Sequence, residues 1–393
     1  MKKKCKKINI TDLGTIKPWV ADCCMRHRKR YDFKRLFFYY GMSKEDYDDA
    51  IKTHNKEAFE LVIARICEEA ISQIKNRKLI LDPVRIREKV DTTTGKLRQI
   101  GIECPMQQVF DYIAVYSAME IFEKRMVREQ ASSIPGRGQL YGVRMIQKWL
   151  RKDNESLDYA KRHNLRYSRK CKYFVKLDIK KCYPSANKEV ILERFRHDCG
   201  NEDIVWLWEE LFKTYEVDGY TGLLIGGLPS QWACQFALSF IYRYAKSICK
   251  RGKVVINHIA MFMDDMLFLS GNRNALYDAV KKIIAWTYEN FGWEIKPEWH
   301  IRDIDKFNID MMGYVIHADG SATIRARNFI HSRRIALRFK NMCLKQAKRL
   351  LSYKGFYKYS DSKYVTEKYH LKEIFRLAAS IISKHDKELA LCR

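Results

Sequence analysis

Residues 258–271 read HIAMFMDDMLFLSG, and the pair Asp264–Asp265 at the centre of this run decides how the chain is read. Apolar residues flank it on both sides. A buried, unpaired carboxylate is costly to desolvate and two adjacent ones repel, so a structural role calls for a cationic neighbour that the flanks do not supply. The pattern predicts a strand, a tight turn and a second strand, with the carboxylates at the apex. There they either face water or hold a cation.

A second acidic position belongs with them. Residues 172–185, KYFVKLDIKKCYPS, read as an apolar-rich strand that carries Asp178 near its end and stops at Pro184–Ser185. Two such strands side by side in one sheet would bring three carboxylates to a common edge. Mg²⁺ prefers oxygen ligands of this kind, keeps several waters and shares its shell with substrate phosphates. Two ions about 3.5–4 Å apart are able to activate an attacking hydroxyl and stabilise a leaving oxygen in phosphoryl transfer. That is the chemistry of a nucleotide polymerase.

Composition agrees with a nucleic-acid partner. The 393 residues, 47% hydrophobic, suffice for a sizeable core and two or three structural units. The 74 Lys+Arg against 47 Asp+Glu give a formal charge of +27, which argues for a polyanion. No apolar stretch approaches the roughly 18 residues needed to span a bilayer, so no membrane partner is expected. The basic start, MKKKCKK, is followed by INITDLG rather than an apolar segment, which points to a cytoplasmic protein. Twelve cysteines without a C-x-x-C pair read as reduced, mostly buried thiols rather than a zinc site.

Organisation follows from periodicity. Residues 1–80 read mostly as helix, with a cap at Ser43 and apolar positions at Phe59, Val62, Ile63, Ile66 and Ile71, preceded by the basic cluster RHRKRYDFKR. Two alternating segments around Asp91–Gly95 predict a hairpin. An apolar helix then runs from Met106, followed by the glycine-punctuated loop SSIPGRGQLYG, and residues 151–172, polar and basic, read as a connection or insertion. The polar stretch after the helix near Ala186 leads to a Gly-rich turn that opens a long apolar helix. From Arg325 to Arg393, 18 Lys/Arg face 5 Asp/Glu in segments of helical pattern. No internal repeat or low-complexity tract is present.

Across roughly residues 85–320 the ordered segments resemble the motifs of a reverse transcriptase. VKLDIKKCYPS resembles motif A, LLIGGLPSQW motif B and FMDD motif C, more often Tyr-x-Asp-Asp. WEIKPEWH resembles motif D and IDMMGYVI the primer-grip motif E. The resemblance implies an α+β right-hand polymerase: an N-terminal helical extension (1–80), fingers and a palm with an antiparallel sheet (81–324), and a basic helical thumb (325–393). It implies two Mg²⁺ ions, with Mn²⁺ as a substitute, on Asp178, the Ile179 carbonyl and Asp264, and Asp265 as a secondary contributor. Tyr183 matches the aromatic gate against a ribose 2′-OH, the group that separates the two substrate classes. Lys96 and Arg98 in the hairpin would meet the incoming triphosphate. Ile225, Gly226, Ser230 and Gln231 would lie against the nucleotide and templating base. Lys296 would protonate the departing pyrophosphate. Met312, Gly313 and Tyr314, with Met311 before them, would hold the primer end.

The Gly-Arg-Gly of SSIPGRGQLYG resembles bacterial reverse transcriptases related to group II introns, retrons and diversity-generating retroelements. Motif B narrows this. Many such enzymes carry Gln-Gly-x-x-x-Ser-Pro, whereas Ile225-Gly226-Gly227-Leu228-Pro229-Ser230-Gln231 resembles the diversity-generating type, which copies template adenines inaccurately. It departs from that type's usual GNLTSQ. The expected partners are an RNA template, a DNA primer or cDNA and deoxynucleoside triphosphates, with a small accessory protein or a structured non-coding RNA, in a bacterial or phage setting. The alternatives are an antiphage reverse transcriptase that copies a non-coding RNA or works without an external template, and a non-catalytic RNA-binding scaffold.

Overall fold

A computed structural model describes residues 2–90, 95, 97–217 and 219–391, with side chains to Glu388. Four helices lead, α1 (Leu13–His27), α2 (Tyr31–Tyr39), α3 (Lys44–Thr53) and α4 (Glu60–Lys75). The hairpin β1 (Arg85–Val90) and β2 (Leu97–Ile102) precedes α5 (Pro105–Ser117), α6 (Met119–Arg125) and α7 (Gln139–Arg162). Next come β3 (Tyr173–Asp178), α8 (Lys188–Asp198), α9 (Glu202–Lys213) and α10 (Leu228–Ser247). The strands β4 (Cys249–Lys250), β5 (Lys253–Val254), β6 (His258–Phe262) and β7 (Asp265–Ser270) lead to α11 (Arg273–Phe291). β8 (Arg302–Asp303), β9 (Ile309–Met311), β10 (Tyr314–Ile316) and β11 (Ala322–Ile324) are followed by α12 (Ala326–Ala336), α13 (Leu344–Lys358), α14 (Lys363–Lys368) and α15 (Leu371–Leu391). The chain divides into two compact units, one of Met1–Val127, Ile179–Arg243 and Lys282–Ile295, the other of Arg128–Asp178, Tyr244–Lys281 and Lys296–Arg393.

The first unit is built on α1, α4, α5 and α9. Ser43 caps α3 by accepting from the Asp46 N–H at 3.0 Å, as its position predicts. The helical pattern expected to continue from there breaks: His54 is left-handed at φ +57°, and the Asn55 side chain takes the Glu57 N–H at 2.9 Å. Asn competes with the backbone for such donors, so α3 and α4 are separate helices. The helix expected from Met106 likewise divides at Ala118 into α5 and α6. Within α5 nearly every side chain is buried, and Trp208 of α9 donates its indole N–H to the Ala114 carbonyl at 2.9 Å. The stretch read as polar therefore contains α9, whose Ile204, Leu207, Trp208 and Leu211 face the core.

The second unit carries a four-stranded sheet in the order β6-β7-β3-β8, a three-stranded sheet β11-β10-β9, and the C-terminal helices. Helices α12, α13 and α15 enclose an apolar cluster of their own that includes Ala336, Leu350, Tyr357, Leu371 and Phe375. Residues 151–162, expected as a connection, instead continue α7, whose Val143, Ile146, Leu150 and Ala160 are buried. Asp153 explains why so polar a segment packs. Only 3% exposed, it accepts from Tyr167 Oη at 2.9 Å, from the Lys170 N–H at 2.7 Å and the Cys171 N–H at 3.3 Å, and pairs with Arg169, which also reaches Asp305. Among the described residues no helix is long and apolar enough to cross a membrane.

Removing one partner of a buried ion pair leaves the other charge uncompensated. Asp153→Ala is therefore expected to cost about 3–5 kcal/mol, read as a lower urea midpoint, with Asp153→Asn milder because it keeps an acceptor. Equal midpoints for Asp153→Ala and the parent chain would contradict this role.

Candidate active site

β3 and β7 pair antiparallel from Tyr173 opposite Ser270 to Asp178 opposite Asp265. β6 flanks β7 with Phe262 opposite Asp265, so Met263 and Asp264 form a two-residue loop. Opposed residues project from one face, and alternate residues of a strand share a face, so Lys176, Asp178 and Asp265 stand on the same side of the sheet. Met263 holds φ +52°, a left-handed conformation that costs a non-glycine residue about 1–3 kcal/mol.

Two lysines meet this acidic end. Lys176 Nζ lies 3.2 Å from Asp265 Oδ1 and donates to the Asp310 carbonyl at 2.8 Å. Lys296 Nζ lies 2.5 Å from Asp178 Oδ1, and the Lys296 N–H donates to the Asp178 carbonyl at 2.9 Å. The Lys296 ammonium thus partners this enclosed Asp178 oxygen as a close ion pair. Burial pushes the Asp264 carboxyl above the ordinary carboxylate range; the charges of Asp178 and Asp265 add to the rise, and Lys296 opposes it. Burial also raises Asp265, against the pull of Lys176.

The donor set suits a hard divalent cation. Among the described residues no three His, Cys, Asp or Glu side chains form a ready-made metal cage. Mg²⁺ does not require one, because it binds through one or two carboxylates and completes its shell with water and substrate phosphates. Carboxylate oxygens are the hard donors such an ion takes, and Asp178 and Asp265 each already face a cation there, Lys296 and Lys176.

The β9–β10 hairpin holds the predicted primer-grip residues. Met312 and Gly313 form its two-residue loop at φ +55° and +83°, the pattern of a type I′ turn. Met312 and Tyr314 are buried, the latter with its ring 5.2 Å from that of Phe356, so the loop offers backbone rather than side chains to a ligand.

The remaining predicted residues lie in the other unit. Ile179 is buried and pairs with Ile295 in an isolated bridge. Tyr183 is half-buried, and its carbonyl accepts the Leu223 N–H at 2.8 Å. A Cβ at Gly222 would lie 2.4 Å from that carbonyl oxygen, so only glycine fits. Ile225 is half-buried, bridges Ile100 in parallel, and accepts the Gly101 N–H at 3.0 Å. Gly226 and Gln231 line a cleft of about 410 Å³ with Ile100, Gly101 and Arg30. Ser230 is fully buried. Arg98 is exposed on β2; Lys96 lies outside the described residues.

The chain matches the family described as reverse transcriptase (RNA-dependent DNA polymerase) over residues 86–311, more than half its length. It belongs to the reverse transcriptase family. It is therefore an RNA-directed DNA polymerase with an α+β polymerase fold, and enzymes of this family use divalent metal ions. Among solved structures it is similar to telomerase from Candida albicans in complex with a TWJ fragment of telomeric RNA, at 12% identity and a TM-score of 0.43, over 87% of this chain and 74% of that one. It is also similar to apo telomerase from Candida tropicalis truncated from its C-terminal domain, at 12% identity and a TM-score of 0.46, over 71% and 70%. No curated protein matches the chain.

Two features of this reverse transcriptase went unread in the sequence. Lys176 was unmarked, although its place two residues before Asp178 on a strand sets it on the same face. The other is a buried acidic pair, Glu103 and Asp111, beside Tyr215 and Ser230. Burial holds both carboxyls above the usual range, and for Asp111 the Glu103 charge adds to it. A Cβ at Gly227 would come within 2.8 Å of Glu103 Oε1, so this network closes directly under motif B. A lone Asp within VFDYIAV was its sequence signal.

Gly313→Ala tests the hairpin. A Cβ there would stand 2.4 Å from Phe356 Cε1 in a left-handed backbone, so the variant is expected to lose about 1–3 kcal/mol of stability in denaturant unfolding. An unchanged midpoint would contradict the tight turn.

Proposed function

We propose that this reverse transcriptase copies an RNA template into cDNA with errors concentrated at template adenines, as the polymerase of a diversity-generating retroelement. The observation that carries the reading is Ile225. A glutamine there can hydrogen-bond and fix the nucleotide, whereas an aliphatic side chain can only pack, so a misaligned pair loses less relative to a correct one. The half-buried position of Ile225 beside Ile100, with Gly226 and Gln231 along the same cleft, supports contact with the base pair.

In this reading Asp178 and Asp264 hold two Mg²⁺ ions, or Mn²⁺ in their place, with the Ile179 carbonyl and Asp265 contributing. When bound, the ions supply the charge that activates the primer 3′-OH and stabilises the leaving oxygen. Lys296, tethered through its own backbone beside Asp178, is the proton source for pyrophosphate. Tyr183 gates the sugar, Arg98 and Lys96 grip the triphosphate, Ser230 supports the motif B loop from below, and the Met312–Gly313 loop with Tyr314 positions the primer. Residues 1–80 are a helical extension, 81–324 fingers and palm, and 325–393 the thumb, whose separate apolar cluster supports its being a body of its own. Its partner is a small accessory protein or a structured non-coding RNA, and its setting the cytoplasm, with the chain encoded by a bacterium or a phage.

The test is primer extension on a heteropolymeric RNA template with all four deoxynucleotides, followed by product sequencing. Asp178→Asn and Asp264→Asn should each remove several kcal/mol of transition-state stabilisation, on the order of 10³-fold in rate, with template affinity nearly intact. Extension that survives either change would sink the metal assignment. In the same assay Ile225→Gln should lower the error frequency opposite adenine several-fold. An unaltered error spectrum counts against the mutagenic reading, and faithful or untemplated products would favour the antiphage reading that Gly227-Leu228-Pro229 leaves open.

A further inference from the structure

Helix α7 has two unlike faces. Gly142, Val143, Ile146, Leu150 and Asp153 are buried, while Tyr141, Arg144, Lys148, Trp149 and Lys152 recur at three- and four-residue spacing along the other side. That second stripe forms one wall of a cleft of about 720 Å³, closed by Arg128, Glu129, Gly136 and His258. Four cations face one carboxylate there, and among the described residues none of the four forms an ion pair. A solvated helix face does not require a cleft.

Aromatic rings are interleaved with the charges. Trp149 stacks on His258 with ring centroids 4.7 Å apart and planes 17° from parallel. Burial, with Lys246, pushes His258 down to about 4, so at neutral pH it contributes a neutral ring rather than a charge. The strip continues along the helix into a second hollow of about 490 Å³, where Arg144 is shared with the first and lies over the Tyr359 ring at 5.4 Å, near Arg151 and Lys358. His258 pairs with Leu269, four residues along β6 from Phe262, which places it about 14 Å from the Asp264 turn. The Trp149–His258 stack therefore stands away from the catalytic carboxylates, while the Glu129 end of the cleft adjoins β6, where the Glu129 carbonyl accepts the Met261 N–H at 3.0 Å.

We propose that this α7 groove binds a single-stranded segment of nucleic acid. Unpaired cations tracking a backbone, with flat rings between them, are what a single strand requires: phosphates meet the charge and unstacked bases meet the rings. A duplex would present phosphates but no base faces, leaving Trp149 and His258 without a role.

The test uses the full chain, with an excess of unlabelled primer–template hybrid to occupy the catalytic site. Binding of fluorescein-labelled 12-nucleotide oligouridylate and oligothymidylate is followed by anisotropy over a range of salt. The double variant Arg144→Glu/Lys148→Glu should weaken binding at least about tenfold and flatten the log–log salt slope by about 1.4, for two phosphates on a single strand. Trp149→Leu, which keeps apolar packing, should weaken it by about threefold or more at an unchanged slope. Extension of the short hybrid should remain as in the parent chain. A second pair, Lys148→Glu/Lys152→Glu, serves if the first does not fold. Tighter binding of the uridylate assigns the groove to RNA, and of the thymidylate to DNA. Affinity and slope untouched by the charge reversals, no effect of Trp149→Leu, or equal competition by polyglutamate would each overturn the proposal, the last by showing a merely polyanionic or protein-binding surface.

Discussion

The register of β3 against β7 is the constraint on which the rest depends. With Asp178 opposite Asp265, the Met263–Asp264 loop brings the third carboxylate to the same end, and Lys176 falls on their side. Side-chain direction alternates with every residue, so a slip of one position would turn Lys176 and Asp178 to the other face and leave Asp265 without its cation. The apolar residues between them fix that register. Val175 and Leu177, opposite Phe268 and Met266, are buried on the face away from Lys176 and Asp178, so a slip of one position would put a lysine and an aspartate into that apolar layer.

Such an arrangement is electrostatically unfavourable by itself. Three carboxylates at one strand end cost desolvation and mutual repulsion, and two lysines offset only part of it, as the raised Asp264 and Asp265 carboxyls show. The strained Met263 backbone adds to the cost. Stability lost here is recovered in the apolar interior, a distribution common at sites whose geometry serves chemistry.

Much of this was legible from local patterns. The hairpin, β3, the β6–β7 turn and α10 each announce themselves by alternation, by a glycine or by a proline. Lys296, assigned by resemblance alone, does stand beside Asp178. Legibility failed where long-range partners decide the outcome. Residues 151–162 look like a connection because their apolar content is thin, and nothing local shows that Asp153 is buried by Tyr167, Arg169 and two backbone N–H groups. Glu103 and Asp111 meet each other directly, but their third neighbour, Tyr215, is more than a hundred residues away in sequence. The helix α9 was a different case, since Ile204, Leu207, Trp208 and Leu211 already carry the helical spacing.

The contact between Tyr183 and Leu223 is made by a carbonyl and an N–H, and the fit at Gly222 is against main-chain oxygens. What sits on the Cα of residue 183 plays no part in either. The clasp that holds the segment leading into Ile225 is thus built from main-chain atoms, and its donor and acceptor are the same whatever the chemistry of the side chain at position 183.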